Sequence, residues 1–263
     1  MNGTAAVLKE SRKLEKKYMS VKRRNIYVAC EHYNFIWYEH KVRTVRRWTM
    51  MEISLETLFE KQKQLDDYII KKKGLETMPK QELLNNTVLA LQVEICDLAN
   101  EWRGFKHWSE DREPRNESLV ECKECKGTGL VTGNPDDGWC EYCSSNGFIE
   151  SNPMLEEYVD CLHFFLSIAW QIGLTADDLY TWDEELVNET SVVFTELLFM
   201  VARINGHAFL SKPIPEDIKL EFRISLYIFF NLGEQRFGFT WEQITQAYLD
   251  KWQINIQRQE SGY

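Results

Sequence analysis

The stretch VEICDLANEW, residues 93–102, and its counterpart LEEYVDCLHFF, residues 155–165, decide how this chain is read. In the first, Glu94, Asp97 and Glu101 recur at helical steps, so on a helix they share one face within roughly 60° of each other. Val93, Ile95, Leu98 and Trp102 run beside them and set the acidic stripe next to buried surface. In the second, Glu157 and Asp160 repeat the spacing, with Glu156 competing for the place of Glu157. A single pair of this kind is weak, because acidic residues three apart occur on many solvated helices. Two pairs on packed helices would gather Glu94, Asp97, Glu157 and Asp160 in one cleft, where like charges raise one another's pKa until a cation neutralises them. Mg²⁺ is a hard ion that prefers oxygen and joins protein carboxylates to substrate phosphates.

Outward from these stretches the period stays helical. Ile53, Leu55, Leu58, Phe59, Leu65 and Ile69 repeat at threes and fours through SLETLFEKQKQLDDYII. The break KKKGLETMPK follows, then a second helix over about 81–103, with Leu89, Leu91, Val93, Ile95, Leu98 and Trp102 as its apolar positions. Periodicity returns at PMLEEYVDCLHFFLSIAWQIG, where Pro153 suits a helix start. Further helices are expected over about 183–204, 215–232 and 240–258, the last with Thr240 as N-cap and Gln243 completing a capping box. Strand signals are scarce outside 109–153, and no internal repeat is visible. The fold class is all-α.

Residues 109–153 change character, being rich in Gly, Pro, Cys and charge, and read as an insertion. Within them CKECKGTG…WCEYCSSNG spaces Cys122, Cys125, Cys140 and Cys143 as C-x2-C-x14-C-x2-C. Four thiolates at that spacing favour tetrahedral Zn²⁺, and the glycines after each pair permit tight turns. With every position filled by protein, such a zinc is structural. Cys30, Cys96 and Cys161 stand alone, which suits a reducing compartment better than a disulfide framework.

In the last helix Lys251, Asn255 and Arg258 fall at i, i+4 and i+7, on one face. Two cations there suit phosphate oxygens, and Asn can satisfy a sugar or base edge. By themselves they also fit an ordinary solvated face.

Four stretches taken together, QKQLD (62–66), VEICDLANEWRGFKHWS (93–109), LEEYVDCLHFFLSI (155–168) and AYLDKWQINIQRQESGY (247–263), resemble the dimeric all-α dUTPases of phages and trypanosomatids, relatives of the MazG-type nucleotide pyrophosphatases. The resemblance implies a MazG/dimeric-dUTPase-like helical bundle, a homodimer, and Mg-dependent hydrolysis of dUTP to dUMP and pyrophosphate with attack at the β-phosphorus. It carries two or more Mg²⁺ ions onto Glu94, Asp97, Glu157 and Asp160. The water-polarising residue of the family is usually Glu where this chain has Asp97, so Asp97 and Glu101 both stand as catalytic candidates. By the same resemblance Phe105, Lys106, Trp108, His163 and Phe164 enclose the nucleoside, with His163 near the sugar. Gln62 reads uracil, and Lys251, Asn255 and Arg258 bind the substrate. The resemblance does not extend to the zinc-ribbon-like insertion.

The bulk properties fit this picture and narrow the alternatives. Net charge is -10, yet residues 1–48 hold 12 Lys/Arg against 4 Asp/Glu, leaving the remainder at -18. An acidic body argues against general nucleic-acid binding and fits collection of divalent cations. No membrane span or secretory signal is visible, so the expected location is the cytoplasm, that of the host if the gene is a phage's. The organisation expected is a basic N-terminal extension over 1–50 and a catalytic domain over 51–263 interrupted by the ribbon at 109–153. The extension is read as a helical arm, a loosely ordered segment, or the product of a start upstream of Met50 or Met51. Two alternatives stay open: a pyrophosphatase for another nucleotide such as dCTP, and a zinc-containing protein that binds nucleic acid or a repressor through its arm or ribbon.

Overall fold

The structure is a computed structural model that describes residues 53–131, 138–180, 185–205 and 215–262; the extension expected over 1–50 lies outside the described residues. Ser54 opens helix α1 (Leu55–Lys72), its side chain accepting from the Thr57 N–H, one of the donors a helix start leaves bare. A 3-10 turn at Leu75–Thr77 leads into α2 (Lys80–Trp102). Asn152 caps α3 (Pro153–Gln171) by accepting from the Leu155 N–H, and Pro153 occupies the first turn, where its missing N–H costs nothing. Helices α4 (Thr190–Asn205), α5 (Glu216–Asn231) and α6 (Trp241–Glu260) follow, and Thr240 and Gln243 form the expected capping box at α6.

Helix α3 is the centre of the bundle. It packs along α2 and also against α1 and α6, while α4 lies against α2 and α5. From Tyr158 to Ala169 almost every α3 side chain is buried, as a helix with apolar residues all round must be. Each such Leu or Phe contributes about 1.5–3 kcal/mol through removal from water. The acidic residues of α3 therefore sit where α2 and α6 converge on it.

Two expectations are corrected. On α2 the buried stripe is Leu84, Val88, Leu91, Ile95 and Leu98, while Leu89 is 60% and Val93 50% exposed. One helix presents only one stripe to α3, and Leu89 and Val93 face away from it. Helix α4 begins at Thr190 rather than near 183, because the preceding backbone is held elsewhere. The Leu186 N–H donates to Gln235 Oε1 at 2.8 Å, and the Arg236 guanidinium donates to the Leu186 and Asn188 carbonyls. Beyond α5 the chain makes a π turn, Leu232–Arg236. A Cβ on Gly233 would come 2.5 Å from the Tyr158 ring, so only glycine lets this turn close against α3.

The strands lie in the cysteine-rich segment. β1 (Ser118–Glu121) pairs antiparallel with β2 (Phe148–Ser151), Ser118 opposite Ser151 and Glu121 opposite Phe148. The tip holds a short repeat that the sequence reading missed. Cys122–Gly129 and Cys140–Gly147 fold alike, and the N–H groups of Gly129 and Gly147 each donate at 3.2 Å to Cys125 Sγ and Cys143 Sγ. Both glycines have positive φ, and a Cβ on either would strike a backbone carbonyl of the other knuckle.

Candidate active site

Glu94 from α2 and Glu157 and Asp160 from α3 each offer a carboxylate oxygen within 4.8 Å of the others. They sit half-buried, and their protonation reports the crowding. Burial, then the charges of Asp160, Glu94 and Asp97, push the Glu157 carboxyl up to about 7. Glu94 is raised by burial and then by Asp160 and Asp97. Asp160 is raised by burial, against the opposing pull of Lys251, whose Nζ lies 2.5 Å from Asp160 Oδ2. A half-buried set of hard oxygen donors whose carboxyls are all raised, first by burial, could hold a divalent cation such as Mg²⁺.

Asp97 is not part of this group. It is exposed, and it reaches the others only as a charge that raises Glu94 and Glu157. Three residues on from Glu94 the helix has turned by about 60° toward solvent, and the shorter Asp side chain does not recover that distance. Glu101, one turn further, pairs with Arg115 at 3.4 Å, and its other oxygen is buried with no partner among the described residues. Glu156 points to solvent, which leaves Glu157 as the inward residue.

The expected nucleoside residues are spread over two settings. Gln62 and His163 are deeply buried, at 4% and 5% exposure, and His163 Nδ1 lies 2.7 Å from Gln62 Oε1. That same oxygen accepts from the Tyr248 hydroxyl at 2.8 Å, and Gln62 Nε2 donates to Asp66 Oδ1 at 2.8 Å. The Gln62 amide is thus engaged inside the bundle at both ends. Phe164 is half-buried. Trp108 is 68% exposed on the segment after α2, its ring edge-on to Phe105 at 5.8 Å, with Lys106 over the Phe105 ring. Arg103 ends α2 with φ of 61° and holds Asp111 at 2.9 Å, clipping that segment to the bundle. On α6, Arg258, two turns beyond Lys251, donates to the Asn255 side-chain oxygen at 3.4 Å.

Asp66 and Tyr248 were not singled out from the sequence. Both extend stripes that were: Asp66 is four residues after Gln62, and Tyr248 three before Lys251, so continuing each stripe by one turn finds them.

Apart from the carboxylates, Cys122, Cys125, Cys140 and Cys143 form a second donor set with all four side chains buried. Cys122 and Cys140 Sγ are 3.9 Å apart, and Cys125 and Cys143 Sγ 3.7 Å. These separations exceed a disulfide bond and match thiolates around a common ion.

A family model described as dUTPase matches residues 54–124 and 141–263, most of the chain and all three cleft carboxylates. The chain belongs to the dUTPase family. It is accordingly a dUTP diphosphatase of the all-α kind, and its substrate is a nucleotide. The stretch between the two matched segments, 125–140, carries two of the four cysteines, Cys125 and Cys140. No curated protein and no solved structure matches at a significant level. Among the described residues no helix is long and apolar enough to cross a membrane.

Proposed function

We propose that this dUTPase hydrolyses dUTP to dUMP and pyrophosphate with Mg²⁺ held by Glu94, Glu157 and Asp160. The observation that carries the reading is the convergence of those three carboxylates within 4.8 Å of one another. When bound, the metal neutralises phosphate oxygens and lowers the pKa of a water molecule. The protein's own groups do the rest. Asp97, beside the cluster and open to solvent, accepts the proton of the attacking water, and Glu101, engaged by Arg115, orients it. Lys251 and Arg258 bind phosphate oxygens through charge-assisted hydrogen bonds, with Asn255 supporting them. Trp108, Phe105 and Lys106 close over the nucleoside and exclude water, while His163, Phe164 and Gln62 form its inner wall.

The zinc ribbon at 109–153 is proposed as a structural module on a catalytic domain spanning 51–263. A closed cysteine site leaves no position for substrate. Homodimerisation is the proposed fate of the exposed apolar residues Leu89 and Val93 on α2 and Val192 and Phe199 on α4, two helices that pack together.

The test is hydrolysis of dUTP, dCTP and dTTP by the wild type, with Mg²⁺ or with EDTA, beside Glu94→Gln and Asp160→Asn. Mg-dependent turnover preferring dUTP, reduced about a hundredfold or more in both variants, is expected. Equal turnover of dCTP would remove the base preference, and an active Glu94→Gln would remove the metal assignment.

A further inference from the structure

We infer that Asp66 is a positioning residue: its carboxylate orients the Gln62 amide, and through it fixes His163 with the proton on Nδ1 and a lone pair on Nε2. This deepens the proposed nucleoside wall and rests on that reading.

The logic is one of donors and acceptors. An ionised carboxylate only accepts, so Gln62 must turn its NH₂ toward Asp66, where Nε2 and Oδ1 are 2.8 Å apart. Its carbonyl oxygen then faces the other way, accepting from the Tyr248 hydroxyl and lying 2.7 Å from His163 Nδ1. An oxygen cannot donate, so Nδ1 carries the hydrogen. The ring also stacks on Tyr248, with centroids 4.0 Å apart, which holds its plane. Burial, and then the Lys251 ammonium, push the imidazole down to about 3 against a hydrogen bond to the Tyr248 backbone, so the ring is neutral near pH 7. Nε2 is left as a buried acceptor with no hydrogen-bond partner among the described residues. Buried polar atoms in native folds are nearly always paired, and an exception beside a binding cleft asks for a ligand donor. His163 lies one turn beyond Asp160, whose partner is that same Lys251, so the lone pair is placed for a hydroxyl or N–H of the bound nucleoside.

Asp66 is itself held by this arrangement. Burial raises its carboxyl to about 6, partly offset by hydrogen bonds to the Ser167 and Gln62 side chains. The conservative replacement Asn can turn its carbonyl to Gln62 and its NH₂ to Ser167, whereas Ala leaves the Gln62 NH₂ unpaired and free to rotate.

The test combines steady-state kinetics on dUTP with nitrogen-15 NMR of the His163 ring in the wild type, Asp66→Asn and Asp66→Ala. The expected result is a KM about tenfold higher in Asp66→Ala with kcat little changed, rescue by Asp66→Asn, and a wild-type ring protonated only on Nδ1. A wild-type ring protonated on Nε2 overturns the inference, as does an unchanged KM in a folded Asp66→Ala. If Asp66→Ala does not fold, the wild-type tautomer decides. A wild type that fails to hydrolyse dUTP sinks the functional reading alone, because the tautomer is measured without substrate.

Discussion

Lys251 Nζ sits 2.5 Å from Oδ2 of Asp160, so a cation of α6 already occupies one of the oxygens that a metal would take. The contact couples two halves of the site, and it makes metal and lysine competitors for one carboxylate. Replacing Lys251 by Met should therefore have effects of opposite sign. Mg²⁺ should bind more tightly by calorimetry, while kcat/KM for dUTP falls about 10- to 100-fold through the lost phosphate contact. Metal affinity and activity that fall together would show that Lys251 only supports the fold.

The crowded carboxylates predict an unusual dependence of stability on pH. Glu157 rises from its ordinary 4.5 to about 7, so between those values the folded state holds more proton than the unfolded one. Stability in EDTA is then fully present below about 4.5 and is lost as pH rises toward 7. Asp66 adds the same sign between 3.8 and about 6. Thermal melts over this range should show Tm dropping with pH, the upper part flattened by Mg²⁺ or by Glu157→Gln. The Asp66 part should persist with metal present. A Tm that climbs with pH in EDTA would contradict the cluster's electrostatics.

Gly233 closes the π turn against the Tyr158 ring, and Tyr158 adjoins Glu157 in sequence. Gly233→Ala should cost about 1–3 kcal/mol in urea unfolding, as added atoms in a packed core do. Because the displaced ring belongs to the helix that carries the carboxylates, dUTP turnover should fall as well. Wild-type stability would show that the ring yields freely.

For the ribbon, Cys125→Ser should abolish a stoichiometric zinc found by elemental analysis, with the helical signal in circular dichroism preserved. Activity should stay within about threefold of wild type, since local modules can unfold while the bundle persists. Loss of activity in step with zinc would make the ribbon part of the working site.

The dimer proposal is checked by Val93→Glu, which places a charge in the exposed apolar stripe of α2. Light scattering should then report a monomer where the wild type is a dimer. A wild type that is monomeric at micromolar concentration would end the proposal.

The amino-acid sequence alone determined the helical order, the capping of α6 at Thr240, the paired acidic spacings and the spacing of the four ribbon cysteines. Each is a local property, written in steps of three and four residues or in a turn of fixed length, and the family resemblance rests on the same stretches. Tertiary packing decided the rest. It chose which face of α2 meets α3, burying Val88, Leu91 and Ile95 and leaving Leu89 and Val93 outside. It admitted Glu94, Glu157 and Asp160 to the cluster and left Asp97 at its edge. It also joined Gln62, Asp66, His163 and Tyr248 from three helices into one hydrogen-bonded group. Periodicity fixes the side of a helix on which a residue lies. Which neighbour fills the space opposite depends on how the helices cross, and no single helix encodes that.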